Sequence, residues 1–118
     1  MGEAPSGLLA YTADGTMVTV IGSGDRPRFA SDDATGGTDE ERAQAVTTFV
    51  AYGGRFEVDG DVVQHHVEAS LFPNWVGTTQ RRRWELDETS RWLTLTSPPV
   101  TLGGATRIHR LVWERARD

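Results

Sequence analysis

Three polar residues, His65, Gln80 and Arg82, fall where strand alternation turns them toward an apolar interior. In the stretch VVQHHVEASL, Val63, His65, Val67, Ala69 and Leu71 share one face, and Val62, Gln64, His66, Glu68 and Ser70 share the other. Period-two alternation of this kind marks a half-buried strand. The odd face is the apolar one, so His65 is expected inside and His66 outside. In TTQRRRWEL, Trp84 and Leu86 set the buried parity and carry Gln80 and Arg82 with them. Arg81, Arg83 and Glu85 then face water. An imidazole, an amide and a guanidinium inside a greasy enclosure suit a lined pocket better than a plain core.

Each of these residues has a functional and a structural reading. An imidazole with an ordinary pKa near 6.5 can move protons at neutral pH. It can equally be a core histidine bonded to a neighbouring strand. The guanidinium of Arg82 cannot shed its charge and is costly to bury alone. The same parity puts Glu57, Glu68 and Glu85 outside, so three partners remain: an aromatic ring such as Trp84 or Trp75, an acid from a loop, or an oxyanion on a ligand. A structural arginine that closes a barrel competes with all three. Tyr11 and Tyr52 can each offer a hydroxyl to such a pocket, and are good core material anyway. In Pro73-Asn74-Trp75, proline and asparagine read first as a turn, although the Asn74 amide can serve a rim. Trp75 suits pocket wall and core packing equally. His65 and His66 face opposite sides and cannot share a metal, and His109 can join only one of them, so no metal and no cofactor are expected.

The chain is 118 residues long, enough for one domain with one core. It has no cysteine, hence no disulfide framework. A formal net charge of −5 argues against a nucleic-acid surface. No apolar run approaches the roughly 18 residues of a membrane helix. Met1-Gly2-Glu3-Ala4-Pro5 shows no basic-then-apolar leader pattern. A cytoplasmic protein is the expectation.

The elements that must position these residues are mostly strands. GLLAYT and TMVTVI (7–12 and 16–21) form a hairpin around Ala13-Asp14-Gly15. A polar, glycine-rich loop follows, from Gly22 to Gly37. Thr38-Asp39-Glu40-Glu41 reads as a capping box for a helix from about Asp39 to about Ala51. Its apolar stripe would be Ala43, Val46, Phe49 and Val50, with Gly53-Gly54 ending it. A strand from Arg55 to Asp59 puts Phe56 and Val58 inward, in phase with Tyr52. Asp59-Gly60 turns into the two central strands. Trp92–Ser97 follows with Leu93 and Leu95 on one face, then a Pro98-Pro99 break and a short piece over Val100–Leu102. A last strand, Ala105–Arg115, has mixed parity and predicts a bulge. The pattern is all-β: an antiparallel meander with one short helix, closing into a barrel wide enough for one small ligand.

GLLAYTADGTM, FVAYGGRFEVDGDVVQHHVEASLFPNWVGTTQRRRWEL and RLVWER together resemble the bacterial and fungal lipocalin-like domain family. The most specific block runs from Tyr52 to Arg82: Tyr-x-Gly-Arg-Phe, Val-x-His, Pro-Asn-Trp-x-Gly and Gln-x-Arg. The resemblance implies a small calycin-type β-barrel with a cavity over 1–118. Some relatives accompany natural-product pathways, and related small barrels act as cyclases or isomerases. Family members usually carry a further strand, Gly-Thr-Trp-x-Leu, before the segment matching Gly7. Its absence predicts a barrel open along a seam and sealed by a second copy, a homodimer; an upstream start or trimming would explain it as well.

These readings combine into one expectation. A lipocalin-like barrel would bind a hydrophobic or aromatic, oxygen-bearing molecule between Phe56, Val67 and Trp84. His65, Gln80 and Arg82 would orient it, Tyr52, Asn74 and Trp75 would be further ligand contacts, and the helix with its preceding loop would shape the entrance. The alternative is a cyclase, isomerase or dehydratase of a polyketide-like or terpenoid-like compound. There His65 would move a proton and Arg82 would stabilise an oxyanion.

Overall fold

The computed structural model describes residues 4–116. Met1, Gly2 and Glu3, part of the segment read above for a leader, lie outside the described residues. The strands are β1 (Ser6–Tyr11), β2 (Thr16–Gly22), β3 (Phe49–Asp59), β4 (Val62–Ser70), β5 (Thr79–Leu86), β6 (Trp92–Thr96), β7 (Val100–Leu102), β8 (Ala105–Arg107) and β9 (Arg110–Glu114). The helix α1 spans Asp39–Thr47, and Pro73–Trp75 forms one 3₁₀ turn. An antiparallel sheet in the order β1-β2-β3-β4-β5-β6-β9 curls into a nearly closed barrel, with β7 and β8 paired apart from it. The outer strands β1 and β9 have no ladder between them among the described residues. No described helix is long and apolar enough to cross a membrane.

The capping box forms as the sequence predicts. Thr38 Oγ1 accepts from the Glu41 amide, and the Glu41 carboxylate accepts from the Thr38 amide. The helix is shorter than expected, ending at Thr47 rather than near Ala51. Phe49 and Val50 do not extend its stripe; they open β3, paired with Gly22 and Ile21 of β2. The run Thr47-Thr48-Phe49-Val50 is β-branched or aromatic, and the ladder offered by β2 outweighs the helical spacing. Ala43 and Val46 consequently face solvent. Gly53 and Gly54 are interior residues of β3, not a helix stop.

Those glycines carry a bulge. The β3–β4 register passes from Gly53↔Ala69 to Gly54↔Val67, which leaves Glu68 without a partner. A bulge reverses the alternation beyond it. Val63, His65 and Val67 are buried as expected, but Ala69 and Leu71 are exposed, and Ser70 comes opposite Tyr52. The backbones are so close here that a Cβ on Gly54 would lie 1.9 Å from the His66 carbonyl oxygen.

The expected last strand is two. β8 and β9 are separated at Ile108-His109, where the Ser97 hydroxyl accepts from the His109 amide and the His109 carbonyl accepts from the Ser97 amide. This break resets the parity that the sequence shows as mixed. The opening hairpin buries Met17, Thr19 and Ile21 and exposes Leu8 and Val18. Met17, Tyr52 and Val67 form the core, with Leu9, Tyr11, Val50, Phe56 and Trp75 packed on them.

Because the obstacle at Gly54 is the backbone of β4 and not a flexible side chain, Gly54→Ala should cost about 3 kcal/mol or more of stability in urea unfolding. Gly53→Ala, whose nearest contact would be 3.1 Å from the Met17 carbonyl oxygen, should cost clearly less.

Candidate functional site

His65 lies at the middle of β4, opposite Phe56 on one side and Gln80 on the other. It is 1% exposed. Both ring nitrogens are taken by tyrosine hydroxyls: Tyr11 Oη lies 2.6 Å from Nε2 and Tyr52 Oη 2.7 Å from Nδ1. Tyr11 reaches it from β1 and Tyr52 from β3. The rings continue as a column through the barrel. Phe56 meets Tyr11 edge-on at 4.7 Å, and Trp75 meets Tyr52 edge-on at 5.9 Å.

The electrostatics of the cluster follow from burial. Desolvation, then the Arg82 charge, then His66 push the His65 pKa down to about 4. His65 is therefore neutral at pH 7. Burial also raises the Tyr11 pKa, with Tyr52 adding to the effect and Arg82 opposing it. Tyr52 is raised by burial and opposed by Arg82. Arg82 is thus the one cation felt by all three members.

Arg82 is half-buried and donates to its neighbour's carbonyl, Arg81 O, at 2.8 Å, and to Gln80 Oε1 at 3.3 Å. Among the described residues no carboxylate pairs with it. The ion pairs among the described residues, Arg42–Asp39, Arg83–Asp61 and Arg91–Glu114, lie on the surface, as does the His66–Glu57 contact.

Beside this cluster is a cavity of about 310 Å³ lined by Tyr11, Phe56, Val58, Val63, Trp84, Leu86, Leu93 and Leu95. Its wall is apolar. Val58 is 57% exposed and Leu86 49%, which marks the mouth between the β3–β4 and β5–β6 turns. Trp84 donates its indole N–H to the Gly60 carbonyl at 2.9 Å, pinning the wall to the first of these turns.

The structure brings some expected site residues together and separates others. Phe56 and Trp84 line the cavity, His65 and Tyr52 sit behind it, and Gln80 orients Arg82. Val67 belongs to the packed core with Met17 and Tyr52. Asn74 is exposed in the 3₁₀ turn. Trp75 packs between Tyr52 and Phe72. The helix and its loop do not shape this mouth. α1 leads into β3 at Phe49, whereas the cavity meets β3 at Phe56 and Val58, roughly 25 Å along an extended strand. They enclose a separate polar groove of about 700 Å³ instead. Val58, Val63, Leu93 and Leu95 also line the wall and are absent from the expected site; their inward parity in the sequence is the signal that points to them. No group of three or more potential metal ligands occurs among the described residues.

The depressed His65 pKa makes stability depend on pH. The unfolded histidine takes up its proton near pH 6.5 and the folded one only near 4, so stability is full above 6.5 and falls as pH drops through that window. The loss from this residue should be on the order of 3 kcal/mol between pH 7 and pH 4. Urea midpoints across this range should fall less steeply for His65→Gln than for the parent protein.

The family model for the lipocalin-like domain matches residues 1–116. A relative from Aspergillus oryzae, named as a 4'-hydroxy-3'-methoxypropiophenone carrier protein, is 34% identical over 97 residues, which covers 75% of this chain and 86% of the relative. With the barrel and its lumen described, the match over nearly the whole length is decisive: this chain belongs to the lipocalin-like domain family.

Proposed function

We propose that this protein binds and carries a small aromatic molecule bearing at least one oxygen, held in the cavity between the β3–β4 and β5–β6 turns. The observation that carries the reading is an apolar cavity with a single polar cluster behind one wall. Small-molecule sites run from roughly 300 to 1,000 Å³ and combine apolar walls with few polar groups. At about 310 Å³ this cavity suits one substituted ring. The relative's named cargo, a phenolic aryl ketone, is of that size and chemistry.

Carriage is favoured over turnover by the state of His65. A general base must reach the proton it removes. Both nitrogens of His65 are occupied by tyrosines, and no histidine or carboxylate lines the cavity. The cluster is built to orient an oxygen rather than to exchange protons with a substrate. Arg82, without a carboxylate partner among the described residues, adds attraction for electron-rich oxygen.

Titration with 4'-hydroxy-3'-methoxypropiophenone should give saturable one-to-one binding by calorimetry, with quenching of tryptophan fluorescence from Trp84. Leu86→Trp should fill the mouth from an exposed position. It should weaken binding at least tenfold while leaving the melting temperature within about 2 °C. Unchanged affinity in that variant would place the ligand elsewhere.

A further inference from the structure

The proton inventory of the Tyr11–His65–Tyr52 chain goes one step further, resting on the carrier reading above. A neutral imidazole has one N–H donor and one bare nitrogen acceptor. Two tyrosine hydroxyls bond to it, one on each nitrogen. The hydroxyl on the bare nitrogen donates to it. The hydroxyl on the N–H accepts, and its own proton must then go to something else. One proton of the three-residue chain is therefore left for an outside acceptor.

Burial decides which hydroxyl holds it. Tyr52 is 8% exposed, and its bond to Nδ1 is fully buried, with that nitrogen its one partner among the described residues. A spare O–H there would be a buried donor without an acceptor, which is costly. The Tyr11 bond is only partly buried, and the Tyr11 ring is part of the cavity wall. The side chains lining the cavity carry two polar atoms, Tyr11 Oη and Trp84 Nε1, and the second is committed to the Gly60 carbonyl.

We propose that Tyr52 fixes His65 as the Nε2–H tautomer, so that Tyr11 turns its proton toward the cavity and receives the cargo through a carbonyl oxygen. Tyr11 is then the specificity-determining residue, and Tyr52 and His65 position it. The choice of oxygen follows from donor counting. Tyr11 Oη is then the uncommitted donor among the side chains that line the cavity. A ketone oxygen only accepts and satisfies it. A phenol hydroxyl would bring a further proton into a place that already has a surplus. An aryl ketone with a phenol at its other end would thus enter carbonyl first, with the phenol left near the open mouth beside Val58 and Leu86.

The test has two arms. In the free protein, long-range ¹H–¹⁵N NMR at pH 7 should show His65 Nδ1 as the bare nitrogen and Nε2 as protonated; the opposite pattern overturns the assignment whatever any variant does. In the second arm, three probes are titrated: 4'-hydroxy-3'-methoxypropiophenone, its deoxo analogue 2-methoxy-4-propylphenol, and 3',4'-dimethoxypropiophenone. The parent protein should prefer the first over the second by about tenfold. Tyr11→Phe, which keeps the ring wall, should reduce that preference to within about threefold by weakening the ketone alone. The dimethoxy ketone, which cannot ionise, should bind about as well as the phenolic one. A preference that survives Tyr11→Phe, or a dimethoxy ketone that fails to bind, overturns carbonyl recognition and leaves the carrier reading standing. Failure of all three probes on the parent protein overturns the carrier reading and the carbonyl assignment with it.

Discussion

A histidine sealed inside an apolar barrel has to be neutral, and both of its nitrogens have to be satisfied without water. The lumen of this protein is arranged around that requirement. His65 is placed by β4, and its partners come from two other strands, Tyr11 on β1 and Tyr52 on β3. The hydrogen bonds therefore cross the interior and tie the first hairpin to the centre of the sheet. Arg82 contributes the only charge that all three groups feel. The strand geometry serves this cluster too. Gly54 lets β3 and β4 approach where no side chain would fit, and the bulge beside it brings Ser70 opposite Tyr52.

The two ends of the barrel do different work. At the end where β3 turns into β4 and β5 into β6, an apolar cavity opens between half-exposed Val58 and Leu86. At the other end, α1 and the preceding loop are fastened together. One oxygen of Glu41 accepts from the Thr38 amide and the other from the Ala30 amide, while Arg26 bonds Thr48 and the Ala45 carbonyl and lies 4.7 Å over the Phe49 ring. These hydrogen bonds to the Glu41 carboxylate hold its pKa below the usual range. The division separates the apolar cavity from the part of the chain that looks most like a lid.

Much of this was legible in the residues because strand alternation is local. The parity of Val63, His65 and Val67, and of Gln80, Arg82 and Trp84, was readable from spacing alone, as was the Thr38–Glu41 capping box. What failed to show was non-local. Ala69 and Leu71 leave the interior because of a bulge set by close backbone approach at Gly54. Phe49 and Val50 leave the helix because β2 offers them a ladder. The two hydroxyls on His65 lie 54 and 13 residues away in sequence, and nothing in either tyrosine's neighbourhood points to that pairing. The distance between the helix and the apolar cavity is non-local for a related reason: a polar loop before a helix is a common rim, but the end of the barrel it occupies depends on which end of β3 the helix enters.

Chemical-shift mapping tests the central claim most directly. Uniformly labelled protein would be titrated with 4'-hydroxy-3'-methoxypropiophenone and followed residue by residue. Perturbations centred on Tyr11, Val58, Val63, Leu86 and Leu93, with the Arg26–Thr48 segment undisturbed, are the predicted result. Perturbations centred on the groove between Arg26 and Thr48, or none at saturating ligand, would contradict a carrier that holds its cargo in the barrel.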